Sequence, residues 1–188
     1  MASSRSLNDI IGDYAGFIDA LLDALSPVVN VSSFEMDHVC YRCESKEEYA
    51  QVLSDLVPAH GKLLTETPIG GRPIATVQLG EPLRHAGFAV SCIEVPCPKP
   101  GRAYPSGLEH AEFVIGCPED TVHGTSRILG FVAAHPGLDF DKSALEKDIN
   151  ADVRLGFDVG APFGQISAKF HNRPLYEVVA YEIAQGLA

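Results

Sequence analysis

Between Gly87 and Ile115 two apolar runs, GFAVSCIEVP and GLEHAEFVI, flank the linker CPKPGRAYPS. Each run reads as a buried strand yet carries ionisable side chains. Burying such a group without a partner costs several kcal/mol. Glu94 in the first run, and His110 with Glu112 in the second, therefore each require a cation or a hydrogen-bonding partner. The prolines and glycine of the linker separate the runs, which places the three residues at a site shared between two halves of the chain.

The remaining sequence supports two halves. Phe34–Glu44 alternates like a strand, with His38, Cys40 and Arg42 on one side and Val39 and Tyr41 on the other. A helix over Ser45–Val57 follows, with Ser45 as its cap. Two strands, Gly61–Glu66 and Arg72–Leu79, turn at Pro68-Ile69-Gly70-Gly71. The strand Gly87–Val95 closes a β-α-β-β-β unit over residues 34–96. Residues 108–188 repeat the pattern loosely: a strand at Leu108–Ile115, a helix at Glu119–Ala134, strands at Ala151–Val159 and Gln165–His171, and a final helix opened by Pro174. Ahead of both, Ser6 starts a helix whose apolar residues from Ile10 to Leu25 share one face. That helix, within an extension over residues 1–30, suits packing or a homodimer contact. The fold class expected is α+β, one domain of two βαβββ modules in a curved mixed sheet.

Composition narrows the partners. Among 188 residues, 25 acidic against 14 basic side chains give a net charge of −11, which repels nucleic acid and anionic membrane. A small molecule or another protein is the expected partner. Five cysteines form an odd set, and the opening MASSRSLNDI has no uninterrupted apolar stretch. These features read as a reduced, cytoplasmic protein.

His38 and His110 stand 72 residues apart, each early in the first strand of its half and each preceded by an acid, Asp37 or Glu109. If the halves are related by a pseudo-twofold axis, the two imidazoles face each other. Neutral imidazole suits zinc, nickel, iron or manganese, and Glu94 is the natural third ligand. Two histidines and one carboxylate leave coordination positions open for substrate. Glu112 shares a strand face with His110 and fits three roles: a fourth ligand, a base, or an acceptor that orients an imidazole. Arg42 and Arg72 are candidates to clamp a substrate carboxylate, Tyr104 to close over the site, and His171 to reach the ion. Cys40 and Cys43 have redox-pair spacing, but on a strand they face opposite ways. No nucleophile elbow, P-loop or dinucleotide fingerprint is present.

The runs DHVCYR, GRPIATVQLGEP, SCIEVPCPKPGRAYPSGLEHAEFVI and KFHNRPLYEVVA, in that order, resemble the YecM-like branch of the vicinal oxygen chelate, or glyoxalase-like, superfamily. The likeness covers nearly the whole chain. It implies paired βαβββ modules around a divalent metal, with ligands from the first and last strands of the modules, here His38, Glu94 and His110. Many relatives place a glutamate in the last strand, whereas this chain reads QISAKFH there, which leaves His171 as a substitute. The resemblance implies metal-dependent lyase, isomerase or non-haem iron oxygenase chemistry, or a non-catalytic binder on the same fold.

Overall fold

Strand pairing resolves the two halves into one open, curved, seven-stranded sheet, seen in a computed structural model that describes residues 5–187. Residues 1–4 and 188, at the ends of the expected extension and second module, lie outside them. The first half runs β1 (Glu35–Arg42), α3 (Lys46–His60), β2 (Gly61–Ile69), β3 (Arg72–His85) and β4 (Phe88–Pro96). The second runs β5 (Gly107–Val114), α4 (Ser126–Ala134), β6 (Asp152–Asp158), β7 (Gln165–His171) and α5 (Leu175–Gln185). The strand order is β2-β3-β4-β1-β5-β7-β6. In each half the first strand pairs in parallel with the last, β1 with β4 and β5 with β7. The two first strands meet antiparallel at the centre.

The register makes the pseudo-symmetry explicit. Val39 lies opposite Ala111, so a twofold axis through that pair exchanges His38 with His110 and Cys40 with Glu112. Cys40 pairs with Glu94 of β4, and Glu112 pairs with Lys169 of β7. Glu94 and Lys169 are therefore symmetry mates. The ladder between β1 and β5 also slips twice, leaving Asp37 and Glu109 without cross-strand partners. Each acid-histidine dipeptide thus sits at a β-bulge, a device that re-aims a side chain which plain alternation would turn away.

One sheet face is apolar. Val39, Ile93, Ala111, Phe113, Ala168 and Phe170 are fully buried there, with Phe113 stacked on Phe170 at 5.7 Å between ring centres. Helix α2 (Tyr14–Leu25) covers it beside β5 and β7, burying Phe17, Ile18, Leu21 and Leu25. Residues from both halves and from the N-terminal helices form one continuous core. The opposite face carries the polar residues of the site, under α5.

Two expectations are corrected. The single N-terminal helix is two, α1 (Leu7–Ile11) and α2, because Gly12 turns to φ +82° and Asp13 restarts the chain by accepting from the Gly16 amide. The helix expected from Glu119 begins only at Ser126, since Gly124 at φ +89° departs from helical geometry. The second module has the three strands its sequence pattern places, one fewer than the first. Beside β6 an isolated bridge joins Asp141 and Arg154. Among the described residues no helix is long and apolar enough to cross a membrane.

Candidate metal centre

His38 on β1, Glu94 on β4 and His110 on β5 bring one ligand atom each to within 4.8 Å of one another. Between His110 Nε2 and Glu94 Oε2 the distance is 3.8 Å. Two donors on a tetrahedral ion at about 2.1 Å stand roughly 3.4 Å apart, close to that separation.

The two imidazoles are supported differently. His38 donates from Nδ1 to Asp37 Oδ2 at 3.1 Å, which turns Nε2 towards the cavity. A carboxylate behind an imidazole is the usual arrangement for fixing a metal-binding tautomer. His110 is 5 % exposed, and neither of its ring nitrogens has a hydrogen-bond partner among the described residues. Its Nε2 lies 3.2 Å from Glu112 Oε1 without hydrogen-bond alignment. Glu109, the mate of Asp37, is drawn away to Arg42 and approaches His110 Nδ1 only to 4.0 Å. Burial first, and then the Lys169 ammonium, push the His110 pKa down and keep the ring neutral. An orphaned buried group costs about 1–3 kcal/mol, and a neutral imidazole with a free lone pair is suited to an ion.

Glu112 is the hub of the polar face. It accepts from Lys169 Nζ at 2.7 Å and lies 3.3 Å from His38 Nε2. Burial opposes its ionisation, but Lys169 and His38 outweigh burial and hold its carboxyl well below the usual range. Lys169 is raised in turn: burial works against its charge, and Glu112 and Glu94 overcome that.

Of the other expected site residues, His171 has a different task. Its Nε2 donates to Asp37 Oδ1 at 3.1 Å and its Nδ1 donates to Asn150 Oδ1 at 3.0 Å, so both ring nitrogens are taken. Asp37, His38 and His171 also lie within 4.8 Å of one another. Asp37 accepts from both imidazoles and from the Leu175 amide at 2.7 Å, which satisfies that group without an ion. Arg42 and Tyr104 stand together, apart from the lining of the cavity that His38 and Glu94 border. Arg42 pairs with Glu109 and lies over the Tyr104 ring at 4.5 Å, bordering a separate groove with Pro105–Glu109. Arg72 donates to the Cys97 carbonyl. The Cys40 thiol is pushed well up by burial and by Glu94, and Cys43 is pushed up to about 12 by burial.

His38, Glu94, Glu112 and Lys169 border a cavity of about 290 Å³, with Leu175, Val178 and Val179 of α5 on one side. A larger cleft of about 650 Å³ beside Leu7, His60, Lys62 and Glu81 gathers no such cluster among the described residues. Sequence reasoning does not find Asp37 as a support for two imidazoles, nor Lys169 as a partner of Glu112. The signals present are the acid before each histidine and a lysine inside an apolar strand.

Comparison with known proteins agrees with this architecture. The family model described as YecM protein matches residues 6–182. Protein YecM of Escherichia coli (strain K12) is 30% identical over 187 residues, 96% of each chain. An uncharacterized protein of Haemophilus influenzae is 33% identical over 88 residues, 46% of this chain and 45% of that one. The solved structural-genomics structure of Protein EC4020 superimposes with a TM-score of 0.63 at 27% identity, over 94% of this chain and 92% of that one. With a match spanning almost every residue from the first helix to the last, the chain belongs to the YecM family.

Proposed function

We propose that this chain is a divalent-metal-dependent enzyme of the vicinal oxygen chelate type, acting on a small substrate with neighbouring oxygens. The observation that carries the reading is His110, a buried imidazole whose two nitrogens have no hydrogen-bond partner among the described residues, set beside His38 and the Glu94 carboxylate. These three residues would hold the ion. Two imidazoles and one carboxylate suit zinc, iron, manganese or nickel. Bound there, a divalent ion supplies a Lewis acid for an oxyanion developing on a chelated substrate.

The chain's own residues do the rest. Asp37 fixes the His38 ring so that Nε2 faces the cavity. Glu112, within 3.3 Å of both imidazole nitrogens, is the carboxylate in place to accept a substrate proton. Leu175, Val178 and Val179 give the cavity an apolar wall that limits water at the reacting atoms. A proton acceptor beside the ligand set favours isomerisation or elimination next to a chelated oxygen.

Elemental analysis tests the metal. Protein purified without chelators is expected to carry about one divalent ion per chain. His38→Ala and His110→Ala, still folded by circular dichroism, are expected to lose it. Unchanged metal content in both variants refutes the proposal.

A further inference from the structure

Lys169 occupies the position that the pseudo-twofold axis makes equivalent to Glu94, since Cys40 pairs with Glu94 where Glu112 pairs with Lys169. One half therefore offers a carboxylate to the site, and the other offers an ammonium from the matching point. Next to Glu94 and Glu112 this exchange decides the local charge. The two carboxylates, Lys169 and a divalent ion together leave one net positive charge, whereas a third carboxylate in place of the lysine would leave one net negative charge.

The spacing shows what fits. Glu112 Oε1 is 2.7 Å from Lys169 Nζ and 3.3 and 3.2 Å from the Nε2 atoms of His38 and His110. A single carboxylate oxygen already reaches from the ammonium to the ligand nitrogens, and Nζ stands within about 6 Å of either imidazole nitrogen. Nζ carries three donors and spends one on Glu112, and it makes no second hydrogen bond among the described residues. The cavity of about 290 Å³ limits the ligand to a small molecule.

We propose that Lys169 is the anchor for the anionic group of the substrate, and that the site takes small carboxylates with an oxygen on the adjacent carbon, the 2-hydroxy and 2-oxo acids. This rests on the metal-dependent reading above. In such acids a carboxylate oxygen and its neighbour chelate one ion in a five-membered ring, while the second carboxylate oxygen remains for the ammonium. A neutral diol presents the same chelate without that second contact.

Cobalt(II)-loaded protein provides a readout independent of turnover, because its visible bands respond to ligands entering the coordination sphere. Glycolate is expected to shift the bands at lower concentration than ethylene glycol. In Lys169→Met, cobalt affinity is expected to stay within about threefold while glycolate weakens by roughly tenfold to a hundredfold, the loss of one charge-assisted hydrogen bond. In Lys169→Glu, glycolate binding is expected to vanish and cobalt to bind about tenfold more tightly, as a carboxylate replaces an ammonium beside the ion. Equal glycolate affinity in wild type and Lys169→Met, or wild-type preference for ethylene glycol, overturns the anchor while leaving the metal site standing. Wild-type protein that binds no cobalt overturns the metal-dependent reading and this proposal with it.

Discussion

Burial alone would keep Asp37 protonated, yet the charges of His38 and His171, with hydrogen bonds from both rings, hold its carboxyl well below the ordinary range. The same contacts act in reverse on the histidines. Burial disfavours the charged ring of His38, and Asp37 followed by Glu112 raises its pKa well above the usual histidine value. His171 is raised in the same way, with Asp37 again the main opponent of burial. The signs then fix the pH behaviour of the metal-free protein. Depressed carboxylates stabilise it above their unfolded values near 4, and that stabilisation is lost as pH falls through the folded values. Raised histidines stabilise it below about 6.5, and that stabilisation is lost as pH rises through the folded values. An ion held by His38 would need the lone pair of its Nε2, so binding there would expel a proton. Below the raised His38 value, zinc affinity is therefore expected to climb about tenfold per pH unit. Urea midpoints with and without zinc at pH 6, 7 and 8 check this, with a zinc increment that grows with pH. An increment independent of pH would show that His38 is not a ligand.

Among the elements, α5 depends on the join between β5 and β7. The Ile115 amide donates to the His171 carbonyl at 2.9 Å, and four residues after His171 the chain enters α5 with the Leu175 amide on Asp37. Gly116 lies against this join, where an added Cβ would stand 2.0 Å from the Asn172 carbonyl oxygen. Backbone cannot yield as a side-chain tip can. Gly116→Ala is expected to destabilise by about 1–3 kcal/mol, whereas Gly130→Ala, with open space on α4, is expected to stabilise by about 0.5–1 kcal/mol. Urea denaturation of both variants reads the contrast, and equal effects would refute the close approach. This level also marks where the sequence stops being legible. Apolar runs broken by turn residues place β1, β4, β5 and β7 within a residue or two, and acid-histidine dipeptides at matching points identify His38 and His110. Strict alternation, however, puts Asp37 on the face opposite His38. The bulge that turns it inward is set by the pairing with β5, which no local pattern encodes. Arg42 reads by the same alternation as facing the site, although it pairs with the Glu109 carboxylate and borders the other groove.

At the scale of the molecule, neither half contains the candidate centre. His38 and Glu94 come from the first and His110 from the second. The halves are joined through the central β1–β5 ladder and one continuous core, while the covalent link between them is a Pro/Gly segment with exposed Gly101 and Arg102. A core of this kind, with whole strands paired across the junction, does not need the chain to be continuous there. The energy resides in the buried apolar area and the ladder. A protease site inserted between Gly101 and Arg102 is therefore expected to be cut under native conditions, with the two fragments eluting together and retaining the metal content of the intact protein. Each fragment isolated in urea and refolded alone is expected to bind no ion, and mixing them before refolding is expected to restore binding. Fragments that separate after cutting would show that the linker, rather than the shared sheet, holds the halves in register. A first-half fragment that binds the ion by itself would show that His110 contributes nothing to the site.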